Sequence, residues 1–105
     1  MAFRVIWSDF AERELDKIFE YYIENASLQV AKNVIEKIIL ESKKILSHPE
    51  ITQVEELLLD RENEYRYLIC DNYKIIYFID SKQKLIMIAD VFDTRQNPAK
   101  IKRTK

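Results

Sequence analysis

The first apolar run, FRVIW at residues 3–7, is short and of strand type, and polar residues follow it at once. Ser8 and then Asp9-x-x-Glu12 have the spacing of a helix N-cap with a returning carboxylate, which predicts a helix starting near Asp9. Ala11, Leu15, Ile18, Phe19 and Tyr22 recur at three- and four-residue steps, leaving Glu12, Arg13, Asp16, Lys17 and Glu20 to face water. Asn25-Ala26-Ser27 breaks this pattern and offers a new cap. A second, longer helix carries Ala31, Val34, Ile35, Ile38, Ser42, Ile45 and Leu46 on its stripe and must end before Pro49, because the residue ahead of a proline is pushed out of the α region. So short a connection makes the two helices an antiparallel hairpin.

Residues 47–63 read as a connection with a turn of helix around Val54 to Leu59. The period then changes from helical to alternating. EYRYLIC and YKIIYFI are two β-rich runs separated by Asp71-Asn72, the spacing of a tight hairpin, and KLIMIADVF follows after Asp80-Ser81-Lys82-Gln83. The order is β-α-α-β-β-β, an α+β class in which a helical hairpin packs on one face of a small, mostly antiparallel sheet. A two-residue turn pairs Cys70 with Tyr73, Leu68 with Ile75 and Arg66 with Tyr77, and paired residues share a face. The opposite face is then Tyr65, Tyr67, Ile69, Lys74, Ile76 and Phe78. Neither face is polar, so the side without helices is expected to expose aromatic and aliphatic surface around one lysine, a patch of the kind a partner covers.

Composition narrows the chemistry. With 105 residues the chain is expected to be one domain, spanning 1–105, with a basic C-terminal tail at about 97–105. The formal charge is -1, yet residues 94–105 hold five bases and no acid, while all 18 acids lie earlier. Glycine is absent, which argues against phosphate loops, dinucleotide fingerprints and strained nucleophile elbows, since each needs close backbone approach or positive φ. One Cys and one His cannot furnish a structural zinc site, and no cofactor or metal is expected. The opening MAFRVIWSDF has no long apolar run and Cys70 has no intrachain partner, so the expectation is a soluble, cytoplasmic protein without membrane association.

The motifs Tyr65-Arg66 and Tyr73-Lys74-Ile75-Ile76-Tyr77, with the exit VFDTRQNP at 91–98, are similar to the RelE/ParE superfamily of toxins from type II toxin-antitoxin modules, also labelled plasmid stabilisation proteins. The resemblance covers nearly the whole chain. It implies a cognate antitoxin and a hetero-oligomer with it, and it offers two mechanisms. The RelE branch resembles ribosome-dependent, metal-independent mRNA endonucleases, whose chemistry needs proton acceptors, proton donors and cations for phosphorane charge. Here Tyr65 and Tyr67 stand where that branch often has lysines, and Lys74 where it has arginine, so a nuclease would rely on Lys74, Arg95, Tyr65 and Tyr67, with ribosome and mRNA as partners. Lysine lacks the fork that grips phosphate at two points, and His48 reads as a surface or cap residue.

The ParE branch, described as inhibitors of DNA gyrase, is the favoured match through Tyr65-Arg66 and the Phe-Asp-x-Arg exit. An inhibitor needs binding surface rather than a catalytic constellation. Arg66, Lys74, Arg95, Lys100, Lys102 and Arg103 are the candidate contacts to target or antitoxin. Asp93 and Arg95 are expected on one face, with Thr94 and Phe92 on the other, and in a network with Arg66 at the sheet end. A third reading is a family member that binds its antitoxin and has no surviving target.

Overall fold

In the computed structural model, which describes residues 3–47 and 53–105, two helices pack on a five-stranded mixed sheet. The strands are β1 (Arg4–Trp7), β2 (Gln53–Val54), β3 (Arg66–Cys70), β4 (Tyr73–Asp80) and β5 (Leu85–Asp93), in spatial order β1-β5-β4-β3-β2. β1 runs parallel to β5, and every other pairing is antiparallel. The expected α+β class holds, with one strand more than the pattern predicted: Gln53–Val54 pairs with Tyr67 and Arg66, and the expected helical turn is the short 3-10 turn Glu56–Leu58 just after it. His48 and Pro49 lie outside the described residues.

Ser8 rather than Asp9 caps the first helix, α1 (Asp9–Asn25), accepting from the Ala11 amide at 3.0 Å. Its amide donates to the Ile88 carbonyl and its hydroxyl to that of Ala89, so the cap also seats α1 against β5. Ser27 caps the second helix, α2 (Leu28–Lys43), in the same way through the Val30 amide. A 3-10 turn at Lys44–Leu46 continues α2 and buries Ile45, whereas Leu46 is largely exposed.

The β3–β4 hairpin has the register its turn dictates, with Cys70 opposite Tyr73, Leu68 opposite Ile75 and Arg66 opposite Tyr77. In a chain without glycine, the left-handed turn positions fall to Asp71 (φ 53) and Lys84 (φ 58). Aspartate tolerates that region through local hydrogen bonding. β4 and β5 lose register between Ile76, opposite Asp90, and Tyr77, opposite Ile88, which leaves Ala89 as an extra residue on β5. Such a bulge inverts the alternation downstream. Ile86 and Ile88 face the helices before it, and Val91 and Asp93 face them after it, while Asp90 and Phe92 turn to the other side.

Both sides of the sheet are packed. The helix side joins Ala11, Ile38 and Ile45 to Tyr73, Ile75 and Tyr77. The other side, expected from the sequence to lie open, is a second core in which Tyr65, Ile76, Ala89 and Phe92 are covered by Leu58 from the 3-10 turn and by Ile101 from a C-terminal 3-10 segment, Pro98–Arg103. Ile69 stays half exposed at the margin. The apolar surface is there as the alternation implied. Two short segments of the same chain lie over it.

Candidate functional site

The polar exit from β5 is a set of local hydrogen bonds. Thr94 donates its amide and hydroxyl to the Asn72 carbonyl, at 2.8 and 2.7 Å, tying the exit to the β3–β4 turn. Asp93 receives the Arg95 amide (2.9 Å) and Nε (3.0 Å) on Oδ1 and Nη2 (2.8 Å) on Oδ2, a two-pronged grip within one turn. The hydrogen bond from Arg95 outweighs partial burial and holds the Asp93 carboxyl below its ordinary range. The same carboxylate raises the Arg95 guanidinium. Asn97 accepts from the Ala99 amide and Pro98 supplies the first position of the C-terminal segment, so the chain turns back across the sheet.

Because the bulge sends Asp93 to the helix side, the exit meets α1. Between them is an open cleft of about 440 Å³. Ile18 and Val91 contribute apolar lining and Tyr73 an aromatic one, while Lys17, Tyr21, Arg95 and Gln96 also line it. Arg95 keeps 52% of its side chain exposed despite its partner. Tyr73 sits opposite Asp93, and its hydroxyl donates to that of Tyr22 at 3.4 Å. Burial first, and then Tyr22, push the Tyr73 hydroxyl well above its ordinary value, so it stays protonated.

Glu14 and Arg103 complete the cleft. Arg103 lies between the rings of Phe10 and Phe92, each centroid 5.4 Å away, and donates to Glu14 at 2.6 Å and to Asp90 at 3.0 Å. Asp90 is fully buried and also accepts from the Thr104 hydroxyl at 2.7 Å. Burial raises its carboxyl by more than Thr104 and the Arg103 charge lower it. Burial likewise pushes Glu14 up, but hydrogen bonds from Lys17 and Arg103 prevail and leave it below its ordinary value. Arg61, donating to the Lys102 and Thr104 carbonyls at 2.7 Å each, closes the C-terminal segment from the other side.

The remaining candidates lie elsewhere. Lys74 is on the second face, opposite Phe92, in a separate cleft of about 350 Å³. It is paired at 2.9 Å with Glu55, which is only 3% exposed, and stands 4.2 Å from the centroid of the Tyr67 ring. The Tyr67 hydroxyl donates to Gln53 at 2.7 Å. Tyr65 is buried edge-on against Phe78. Lys74 and Arg95, the two cations on which a nuclease would rely, thus line different clefts. The expected network of Arg66 with Asp93 and Arg95 does not assemble either. Arg66 is opposite Tyr77 and Asp93 opposite Tyr73, about 13 Å apart along β4, and Arg66 pairs with Glu64 at 2.9 Å. Lys100 and Lys102 are exposed on the C-terminal segment, whose Arg103 is the inward-facing base.

Sequence reasoning missed Glu14, Glu55, Arg61 and Asp90. Two of these left a signal: Glu14 lies on the Ala11–Ile18 stripe, and Asp90 interrupts the apolar run of β5. A carboxylate at an inward position implies a buried cation. Among the described residues no helix is long and apolar enough to cross a membrane.

The family described as the ParE toxin of the type II toxin-antitoxin system, parDE, matches residues 5–98. Among solved structures, a chain of the chromosomal ParDE toxin-antitoxin system from P. aeruginosa superimposes with a TM-score of 0.71 at 16% identity, covering 89% of this chain and 96% of that one. A chain of the toxin-antitoxin complex RelBE2 from Mycobacterium tuberculosis superimposes with a TM-score of 0.57 at 17% identity, covering 89% and 99%. At these identities the likeness is one of fold. No curated protein sequence matches.

Proposed function

Since this chain belongs to the ParE toxin family of type II toxin-antitoxin systems, we propose that it arrests growth by binding DNA gyrase through the Arg95 cleft, without cutting a nucleic acid. It is cytoplasmic in this reading and is held inactive in a hetero-oligomer with its cognate antitoxin. The antitoxin draws support from the two structural neighbours, both described as toxin-antitoxin systems.

One observation carries the choice of mechanism: the residues on which the resemblance would rest a nuclease, Lys74, Arg95, Tyr65 and Tyr67, do not converge. Lys74 is committed to Glu55 in one cleft and Arg95 to Asp93 in another, and Tyr65 is buried. Metal-free RNA cleavage needs a base, an acid and charge stabilisation around one phosphate. The Arg95 cleft is read as a recognition surface instead, in which Ile18, Val91 and the rings of Tyr21 and Tyr73 lie among charged groups and Asp93 orients the arginine at the edge.

The test pairs two measurements on purified protein: supercoiling of relaxed plasmid by DNA gyrase, and primer extension on a message under translation. Lost supercoiling with intact message is expected, and Arg95→Ala should restore supercoiling. Message cut at ribosome-occupied codons with normal supercoiling would establish the RelE-like alternative. Neither effect, together with unimpaired growth on induction of the folded protein, would leave a chain that only binds its antitoxin.

A further inference from the structure

We infer that the C-terminal segment builds the target cleft from behind: Arg103 is a positioning residue that fixes Glu14, and through Glu14 fixes Lys17, on the cleft that Arg95 also lines. This rests on the reading of that cleft as the target surface.

The connection is continuous. Thr104 and Arg103 hold the two oxygens of Asp90, Arg103 reaches on to Glu14 Oε1, and Glu14 Oε2 accepts from Lys17 Nζ at 2.9 Å. Glu14 therefore divides its carboxylate between the C-terminal segment and the cleft. Lys17 is mostly exposed, and an exposed lysine by itself samples many rotamers. Its partner, by contrast, is nine-tenths buried and clamped from the other side by a planar guanidinium. The Arg103 guanidinium also lies 5.4 Å from the ring centroids of both Phe10 and Phe92.

Anchoring alone does not require this arrangement. Ile101 is buried in the second core and Arg61 caps the Lys102 and Thr104 carbonyls, so the segment is held without any buried charge. Two carboxylates sharing one arginine incur desolvation that their attraction only partly returns, and Arg103 Nε is buried with no hydrogen-bond partner among the described residues. Apolar side chains in place of the whole Asp90, Arg103 and Glu14 set would hold the segment as well. What they would lack is the fork that reaches Asp90 and Glu14 together and transmits the position of the segment to α1.

Arg103→Lys keeps the charge and removes the fork. It should be compared with wild type and Arg95→Ala by survivor counts after induction, and by the Glu14 carboxyl titration read by NMR on purified protein. The expected result for Arg103→Lys is a cooperative melt, a Glu14 titration displaced upward toward the ordinary carboxylate range, and at least a tenfold gain in survivors. A Glu14 titration unchanged from wild type overturns the positioning role. A displaced titration with full killing, where Arg95→Ala no longer kills, shows that the link exists but does not serve the target, and also overturns it. Killing by Arg95→Ala, or survival with the wild-type chain, instead overturns the cleft reading and the target-binding role with it. Should Arg103→Lys fail to fold, Thr104→Val carries the same test by withdrawing the hydroxyl that orients Asp90, with a smaller effect in the same direction.

Discussion

Arg95 and Arg103 both grip carboxylates, yet the two pairs differ in almost every physical respect. Arg95 holds Asp93 two residues away and remains half exposed. Arg103 holds Asp90 and Glu14 from distant parts of the chain, against a fully buried carboxylate and between two phenylalanine rings. The first pair forms with little chain entropy at stake and is open to solvent competition, so it adds little stability while aiming a cation outward. The second exists only once α1, β5 and the C-terminal segment have come together. Its parts were costly to desolvate, and losing one leaves the others stranded. One cleft thus has an arginine available for binding and another committed to architecture.

The sharpest way to break this contrast is Arg103→Ala, which strands Asp90 and Glu14. We expect a loss of about 3 to 5 kcal/mol, measured as a lower urea midpoint. A change as small as that for an exposed pair would erase the distinction. Next comes Ile101→Ala, which opens the second core beneath the C-terminal segment and should cost about 2 to 5 kcal/mol by the same measurement. A near-zero value would mean that the segment is not docked in solution.

The pH dependence sharpens the comparison further. Glu14 and Asp93 have carboxyls held below their ordinary values of 4.5 and 3.8. Their contributions are therefore complete above those values and are lost as pH falls through the lower, folded-state ones. Asp90 is raised by burial, so it binds its proton more readily folded than unfolded and its contribution runs the other way, declining as pH rises through its elevated value. Acidification below about pH 4 should therefore lower the melting temperature of wild type and Asp90→Asn alike, whereas between the elevated value of Asp90 and about pH 4 only wild type gains stability from this residue on acidification, so the two curves should diverge there. Parallel curves would indicate that Asp90 is ionised as easily as an exposed aspartate.

The smallest expected stability change is that of Arg95→Ala, a urea midpoint close to that of wild type because its ion pair is open to solvent, alongside the loss of growth arrest. A midpoint shift comparable to that of Arg103→Ala would make Arg95 a structural lock as well.

How much of this was legible beforehand follows from distance along the chain. The helix stripes, the cap offered at Asn25-Ala26-Ser27 and the Cys70–Tyr73 register depend on residues a few places apart, so periodicity and turn length are enough to read them, while the first cap lies one residue ahead of the Asp9 the spacing implied. The two-residue separation of Asp93 and Arg95 brings that pair together, though through a turn after β5 rather than on the strand face the alternation implied. The alternation along β3 and β4 also disclosed two apolar faces, but not what would cover the second. Leu58 and Ile101 belong to 3-10 turns too short to display a period, and Gln53–Val54 is a strand only because β3 pairs with it.

The bulge at Ala89 separates local from tertiary information most clearly. A run such as LIMIADVF, apolar at every position but Asp90, reads alike in either registration, so its residues name a strand without saying which of them face the helices. That parity was settled by pairing with β4 and by Ser8 meeting the Ile88 and Ala89 carbonyls. It sends Asp93 to α1 and Asp90 toward Arg103. Local sequence thus determined the two helices, the four strands with a readable period and the short-range pair at the exit. Only the tertiary structure decided the sides of the sheet on which the charges meet, because one unpaired residue inverts every side chain after it and nothing local records that inversion.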